Sequence, residues 1–598
     1  MEEHNYWTTV FHRRLSRRRV LVATGSAGGA ALTAGVLGCG DDDSDGSGAA
    51  DEMRGTAVAE TDGVKTGGTY RAPIVMPTGI DVMKNPGGAA QVLGAFSLSR
   101  LLKYETGFDD PATEDLDFAR ERWYNPVPDL AASWEIPDGQ TFIFTLQPDA
   151  RWHDIDPTNG RAVTAEDIVF AYGYYQSARP DGGALLSRVV EGVDAVAPDK
   201  VQFRLNQAFA PFLGYMSRAQ DLWIYPPELI EADGDGSKRI VGSGPWLFES
   251  LQRDVGVRYR RNPNYWVKDD QGRSLPYMEV FEGADVPDPN TQITQFQSGN
   301  ILQVSVPAAL LSQFRSQNSD AVIRGGFANL ASFLFFPPGT YDENLPPFND
   351  VRVRRAVSHA IDRDALIALG SNDAGGQWNN LINAGAQWYL DPAGPEMGPA
   401  AEFYEYNPDR AKELLADAGY ESLDLDLYFN RNGYVSPFPF YNPIAEALPA
   451  MMEASNINLT LKGVDYLSEW INPESGIFWG KLPPNSIAWA LNIIDGDPDG
   501  YLHGMLHPDG THNNPGHSRV RIDEFTRLVE EQRRELDVDT RRELVFELQR
   551  RVSDQMIFVP MVAIRQFQAW QPFVKNRFGG GTSYGFPTED LIYYWLDR

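Results

Sequence analysis

The stretch Val127–Asp154, "VPDLAASWEIPDGQTFIFTLQPDARWHD", decides the fold. Asp138 and Gly139 are typical turn residues. The residues that follow them, Phe142–Leu146, are strong β-formers and predict a strand. The sequence therefore predicts that a turn and a buried strand come before the loop carrying His153.

A capped helix is predicted directly after this loop, in the segment "AVTAEDIVFAY" at 162–172. The Thr164 hydroxyl can cap the first turn, and Glu166 and Asp167 suit the positive end of the helix dipole. This is a capping box with Asp in place of the usual Glu. The apolar run Ile168–Tyr175 gives the body of the helix.

Further motifs follow in order along the chain. They are Val241–Trp246, Arg261–Trp266, Pro347–Ala356, Ala360–Arg363, Tyr406–Pro408 and Ala411–Tyr420. Most of these motifs are expected to stabilise the fold and not to contact a ligand. Asp362 and Arg363 are expected to pair or to cap a helix, Pro408 fits the first turn of another, and Gly419 fits the left-handed position after its end.

Taken together, these motifs resemble the family 5 extracellular solute-binding proteins, the oligopeptide, dipeptide and nickel receptors of ABC importers. This chain departs from the family pattern in two places: Trp152 stands where the family usually has phenylalanine, and Ile155–Arg161 is an insertion. The resemblance implies an α/β fold of two lobes, the type II periplasmic-binding-protein-like fold with an extra subdomain in the first lobe. Mixed sheets flanked by helices would enclose a ligand cleft between the lobes.

The resemblance and the composition together imply a division of the chain. The expected parts are an export signal at 1–38, a flexible tether at 39–66, a first lobe with its inserted subdomain at 67–320, a second lobe at 321–560 and a return to the first lobe at 561–598. The tether is rich in Gly, Asp, Ser, Ala and Thr, so it cannot bury enough apolar surface to fold.

The export signal combines arginines from Arg13 to Arg19 with the uncharged run Val20–Leu37 and then Cys39. The run is short and rich in Gly and Ala. The basic part resembles a twin-arginine signal, which exports folded proteins. The end resembles a lipobox, which makes Cys39 the expected site of lipid attachment to the membrane. A membrane anchor or a disordered start remains the alternative.

Composition narrows the classes of partner. A formal net charge of −30 over 598 residues repels phosphates and argues against nucleic acid. Cys39 is the only cysteine, so no disulfide forms within the chain. We expect an extracytoplasmic monomer, periplasmic or on the cell surface, with no cofactor, that contacts the transmembrane subunits of an ABC permease.

The segment Trp489–Tyr501, "WALNIIDGDPDGY", resembles the cleft segment of the second lobe. In peptide-binding relatives, an aspartate three residues before the Asp-Pro step pairs with the peptide amino terminus. Ile494 occupies that position here, which weakens the prediction of a peptide ligand. Asp495 and Asp497 are candidate replacements, and shaping a turn is the alternative role for both.

Other candidate ligand contacts are Asn492 and the indole rings of Trp378, Trp388 and Trp489. Stacking on these rings would suit sugars or the side chains of a ligand, and core packing is the alternative role for each ring.

Four of the eight histidines, His503, His507, His512 and His517, lie close together in the sequence. The first two would share one face of a helix, a spacing compatible with a borderline metal ion. The Pro and Gly residues that follow indicate a loop, so solvated histidines and no metal are the default prediction.

No motif for catalysis is found: the sequence lacks a His-Glu-x-x-His, a Gly-x-Ser-x-Gly elbow and a Walker loop. The predicted function is therefore a solute-binding lipoprotein, not an enzyme. It would capture a peptide or similar small solute by lobe closure and deliver it to the permease. A receptor for an oligosaccharide or a nickel complex, a secreted lipoprotein hydrolase and a sensor without a permease remain alternatives.

Overall fold

The computed structural model describes fifteen stretches of the chain. They are residues 62–77, 79–84, 88–104, 126–179, 185–218, 221–327, 330–338, 345–372, 374–383, 388–432, 441–472, 474–493, 497–513, 519–577 and 591–598. The predicted export signal and the lipid-attachment site at Cys39 lie outside these residues.

The strands of the described residues are β1 Thr69–Ile74, β2 Leu102–Tyr104, β3 Pro126–Pro128, β4 Ala131–Glu135, β5 Thr141–Leu146, β6 Val190–Ala197, β7 Lys200–Leu205, β8 Trp246–Gln252, β9 Gly256–Arg261, β10 Val280–Asp285, β11 Gln303–Val306, β12 Val322–Phe327, β13 Leu330–Phe335, β14 Gly376–Trp378, β15 Leu423–Asn430, β16 Ile457–Val464, β17 Ser486–Ile493, β18 Val559–Pro560, β19 Val562–Trp570, β20 Val574–Lys575 and β21 Trp595–Leu596. The α-helices are α1 Gly88–Ser97, α2 Ala165–Ala178, α3 Phe212–Ser217, α4 Pro227–Asp233, α5 Pro289–Gln297, α6 Leu311–Gln317, α7 Val351–His359, α8 Arg363–Ser371, α9 Pro408–Asp417, α10 Tyr441–Glu453, α11 Asp499–Leu506, α12 Asp523–Arg534 and α13 Val538–Gln555.

Two four-stranded sheets build most of the first lobe, in the orders β1-β10-β9-β8 and β4-β5-β7-β6. Their inward side chains share one large apolar core with α1, α2 and α3. The strand predicted at Phe142–Leu146 forms as β5. The predicted cap of α2 also forms, because the Asp167 carboxylate accepts the Thr164 backbone N–H at 2.9 Å.

One predicted helix is displaced. The residues Val92–Leu102 have a helix-like sequence and predict a helix to Leu102, but α1 ends at Ser97. Ser99 forms an isolated bridge with Ile224, and Leu102 begins β2. Residues 99–102 therefore pair with other segments of the same chain instead of forming a last helical turn.

The second lobe surrounds a five-stranded sheet in the order β16-β15-β17-β13-β18. Its flanking helices begin and end at the residues that the sequence indicated. Asp362 caps α8 by accepting the Ala365 N–H at 2.9 Å, and Pro408 opens α9. Gly419 follows α9 with φ of 90°, in the left-handed region that favours glycine.

Strand β19 crosses between the lobes. It runs antiparallel to β11 and β12 over Arg565–Trp570, and its first residues pair with β14. It follows β18, which pairs with β13 in the second-lobe sheet. The described residues thus form two lobes of mixed sheets flanked by helices, as predicted, whereas the lobe boundaries at 320 and 560 remain predictions. Among these residues, no helix combines the length and the apolar character needed to cross a bilayer.

Candidate functional site

A recess opens where the second-lobe sheet meets the crossover strand. Its free volume is small: once open solvent is left out, there is room for about one water molecule. Its lining comes from β13, β17 and β19 and consists of Leu330, Ser332, Leu491, Val562, Ala563, Ile564 and Gln566. The recess is much smaller than the roughly 300–1,000 Å³ of a pocket that encloses a whole ligand, so it can receive only a small group of a larger solute. A ligand held here would touch the strand that joins the lobes.

Trp489 packs directly behind this recess. Its indole N–H donates to the Ser332 hydroxyl at 2.8 Å, and its ring stacks on Tyr441 with a centroid distance of 4.2 Å. The side chain has no exposed surface. Trp489 therefore orients Ser332 in this arrangement, and direct contact between Trp489 and a ligand remains a prediction.

The other two candidate indoles lie apart from each other. Trp378 is half-buried on β14, opposite Val562 of the recess, and its indole N–H donates to Asp364 at 2.8 Å. Trp388 is buried in the second-lobe core under the Arg541 guanidinium, 4.8 Å from its ring centroid. Of the two, only Trp378 lies beside the recess.

Of the polar candidates Asn492, Asp495 and Asp497, the structure describes Asn492 and Asp497. Asp497 is buried, and its two carboxylate oxygens accept from Arg541 at 2.6 and 2.7 Å. This bidentate ion pair occupies the carboxylate, so Asp497 has a stabilising partner within the chain. Asn492 is buried at the end of β17, with its amide nitrogen 3.7 Å from the Met505 sulfur. Ile494 and Asp495 lie outside the described residues.

A polar contact joins the two lobes near Asp497. The Tyr215 hydroxyl on α3 donates to Asp499 on α11 at 2.8 Å, and the Ala210 N–H donates to the Arg533 carbonyl at 2.8 Å. Asp499 also accepts from Gln532 at 2.6 Å and lies 3.1 Å from the Arg533 guanidinium. Burial and the Asp499 charge raise the pKa of Tyr215, which keeps its hydroxyl a donor. We call these five residues the interlobe contact.

Sequence reasoning missed the two arginines at this place. The residues Glu524–Val552 mix Arg and Glu at helical spacing, a pattern typical of a solvated helix pair, but Arg533 and Arg541 are buried. Both lie on the apolar stripes of their helices, next to Val529 on α12 and Val545 on α13. The sequence did contain a sign of this burial: each arginine falls at the helical spacing of the apolar residues. An arginine on the apolar face of a helix needs a buried anion as its partner. Asp497 and Asp499 supply these anions.

The histidines are only partly brought together. His503 on α11 stacks on His507 with a centroid distance of 4.5 Å, and His507 Nε2 lies 3.3 Å from the Glu530 carboxylate. Burial lowers the pKa of His503 to about 2 and also lowers that of His507, so both rings are neutral at pH 7. His512 packs against Phe478, with a centroid distance of 5.4 Å. His517 lies outside the described residues.

Known proteins share this architecture. A solved structure of the periplasmic binding protein DppA from Helicobacter pylori in complex with the peptide STSA superposes with a TM-score of 0.70 at 20% identity, covering 89% of this chain and 99% of that one. A likeness at this identity establishes the fold alone. It is a two-lobed periplasmic-binding-protein fold of type II.

Curated relatives extend the likeness to the sequence. The chain is 25% identical over 476 residues to the dipeptide-binding protein of Escherichia coli strain K12, covering 75% of this chain and 82% of the relative. It is 24% identical over 494 residues to heme-binding protein A of Haemophilus influenzae, covering 77% and 83%. These relatives are named as binding proteins, not as enzymes.

The family model described as "Bacterial extracellular solute-binding proteins, family 5 Middle" matches residues 125–513. The match includes the stretch from Val127 to Asp154, the strands β13 and β17 and helix α11. It therefore spans the greater part of both lobes, and the chain belongs to the family 5 bacterial extracellular solute-binding proteins.

Proposed function

We propose that this protein is the receptor of an ABC importer that captures a peptide or similar small solute outside the cytoplasm and delivers it to the permease. Family membership supports a binding role. The relative from Escherichia coli is named for dipeptides, and the protein from Helicobacter pylori was solved with a bound peptide. Lipid attachment at Cys39 would keep the receptor near the permease.

The recess is the observation that carries this proposal. Ala563 and Gln566 belong to β19, which pairs with β11 and β12, while Leu330 and Leu491 belong to the second-lobe sheet. A solute bound there would contact the strand that links the two lobes. Such a ligand shifts the population towards the lobe arrangement that it binds best.

The side chains in and around the recess indicate which ligand chemistry it can accept. Asp497 is bound to Arg541, so it cannot hold a ligand ammonium without leaving that arginine buried and unpaired. Asp495 remains the proposed carboxylate for an amino group. Asn492, Trp378, Trp388 and Trp489 remain proposed contacts, with Trp378 the aromatic side chain beside the recess. The lining combines apolar side chains with the Ser332 hydroxyl and the Gln566 amide, which favours an uncharged portion of the solute.

The test fills the recess with a side chain of this protein. Gln566 is partly exposed, and we expect Gln566→Trp to occupy the space and to abolish solute binding. Gln377→Trp is the matched control, because Gln377 is exposed on β14 opposite Ala563 and does not line the recess. Both variants should keep the circular dichroism spectrum of the parent.

Binding is measured by thermal shift against di- to pentapeptides, heme, oligosaccharides and nickel with and without chelators. A ligand at one hundred times its dissociation constant stabilises the folded state by about 2.7 kcal/mol. Loss of the shift in Gln566→Trp alone supports the proposal. An equal shift in Gln566→Trp and in the parent, or no shift with any solute, contradicts it.

A further inference from the structure

His503, His507 and Glu530 form a cluster of metal-ligand type between α11 and α12, away from the recess. One donor atom from each residue can be chosen so that all three lie within 4.8 Å of one another. His503 is in α11, and His507 follows at i+4 as the residue that ends the helix. This spacing places both imidazoles on one side, where Glu530 of α12 faces them.

The hydrogen bonding of the buried His503 side chain is incomplete among the described residues. It is 2% exposed, and within the described ranges of the chain its Nδ1 has no hydrogen-bond partner. A buried polar atom left in this state destabilises the fold, because it has lost its hydrogen bond to water. Buried polar atoms in native proteins are usually satisfied by a partner. A metal ion bound in the cluster would satisfy this nitrogen, either by direct coordination or by turning the ring so that the nitrogen meets another partner.

The donor set indicates the class of ion. Two neutral imidazoles with one carboxylate suit borderline divalent ions such as Zn²⁺, Co²⁺, Ni²⁺ and Cu²⁺, whereas Ca²⁺ and Mg²⁺ prefer oxygen ligands alone. Three ligands from the protein would leave a coordination position for water. His507 Nδ1 accepts the Asp509 N–H at 3.1 Å. Coordination through Nε2 therefore moves the ring proton to Nδ1 and frees the exposed Asp509 amide to bond water.

The surrounding charges limit the affinity. Glu530 lies 3.6 Å from the Arg533 guanidinium and 2.8 Å from that of Arg534. Both cations compete with a metal for the same carboxylate. Arg534 is the easier one to displace, because its side chain is exposed and surface ion pairs are weak.

We propose that His503, His507 and Glu530 form a binding site for one divalent transition-metal ion, with Zn²⁺ as the probe. This site is separate from the solute recess and goes beyond the proposed transport function. It adjoins the first lobe, because Arg188 donates to the Asp509 carbonyl at 2.9 Å and Ala210 donates to that of Arg533. A metal bound here would therefore also stiffen the second-lobe side of the interlobe contact.

The experiment uses the mature chain without an affinity tag. Co²⁺ is titrated while its visible d–d absorption is followed, and Zn²⁺ is then added as a competitor. We expect one equivalent of Co²⁺ to give the spectrum of a low-coordinate site that Zn²⁺ abolishes. Glu530→Gln should weaken binding about tenfold or more, and His507→Asn should remove the absorption.

Glu531→Gln is the matched control, because Glu531 is the next residue of α12 and pairs with Arg527 at 2.6 Å, outside the cluster. It should bind Co²⁺ as the parent does. His507 is chosen over His503 because it is only partly buried, so its replacement is expected to leave the fold intact. Absence of the Co²⁺ spectrum from the parent, or the same spectrum in the folded His507→Asn variant, overturns the proposal.

Discussion

His153 fixes the loop after β5 to the turn at Gly242–Gly244. Its Nδ1 accepts the Gly242 N–H at 3.2 Å, and its Nε2 lies 3.1 Å from the Gly244 carbonyl, which fits a neutral ring protonated on Nε2. The side chain has no exposed surface. Burial lowers the pKa of His153 to about 4, so the folded protein resists protonation that the unfolded chain accepts at its ordinary value of 6.5.

We therefore expect acid to destabilise the protein through His153. The folded-state pKa is the lower one, so the contribution is fully present above pH 6.5 and falls as the pH drops from 6.5 to about 4. At about 1.4 kcal/mol for each pH unit, it amounts to roughly 3 kcal/mol. In His153→Gln, the slope of unfolding free energy against pH, measured by urea denaturation, should become shallower in this window.

Asn262→Ala provides the control for that slope. Asn262 donates to the same Gly244 carbonyl at 2.9 Å but does not titrate. This variant should lose stability and keep the pH slope of the parent. An unchanged slope in His153→Gln would show that His153 is not the group responsible.

At the level of elements, α13 is fastened to the start of α11 by one ion pair. Arg541 has no exposed surface and holds Asp497 through both carboxylate oxygens. We expect Arg541→Met to lower the unfolding free energy by about 3–5 kcal/mol, because Asp497 would keep a buried charge without a partner. Chemical denaturation followed by tryptophan fluorescence measures this loss.

Arg527→Met is the comparison for this change. Arg527 is an exposed arginine of α12 that pairs with Glu531 at i+4, an interaction worth less than about 1 kcal/mol. Similar losses in the two variants would contradict a special role for the buried pair.

For helices α12 and α13, the type of element was predictable from the sequence, but the partners of the buried arginines were not. Element type followed from periodicity and caps, so β5, α2, α8 and α9 were predicted well. The partners of Arg533 and Arg541 were not, because a helix rich in Arg and Glu looks solvated until the anions opposite it are known. Local patterns report which face is apolar, whereas an ion pair needs the tertiary position of both charges.

At the scale of the whole molecule, the interlobe contact should influence solute affinity. The Tyr215 hydroxyl bonds to Asp499 across the lobes, and we expect Tyr215→Phe to raise the apparent Kd for the solute about threefold to tenfold. This corresponds to the loss of one hydrogen bond of about 1 kcal/mol from the liganded arrangement. Isothermal titration with the solute found in the thermal-shift screen gives the value.

Tyr501→Phe serves as the control, because the buried Tyr501 hydroxyl lies in the second lobe and has no hydrogen-bond partner in the part of the chain that the structure describes. Its apparent Kd should stay that of the parent. A Tyr215→Phe variant with unchanged affinity would indicate that the contact is equally populated with and without solute.

The two-lobed fold was predictable from ordered motifs because these encode turns, caps and apolar faces. The site was less predictable. Ser332 and Gln566 line one recess although they lie on β13 and β19, far apart in the sequence. Neither belongs to a motif with chemical meaning, and Trp489, which does, supports the recess from behind. Side chains that converge from distant strands leave no local pattern to detect.

Strand β19 also governs when the polypeptide can fold during synthesis. Residues 303–306 and 322–327 must wait for residues 565–570 to leave the ribosome before their sheet can close. At about 5–20 residues per second, this delay is on the order of ten seconds or longer, and strand edges stay unpaired throughout it. Unpaired strand edges of this kind favour aggregation of the nascent chain. If the twin-arginine-like signal acts as proposed, export of the folded protein can begin only after translation has passed β19.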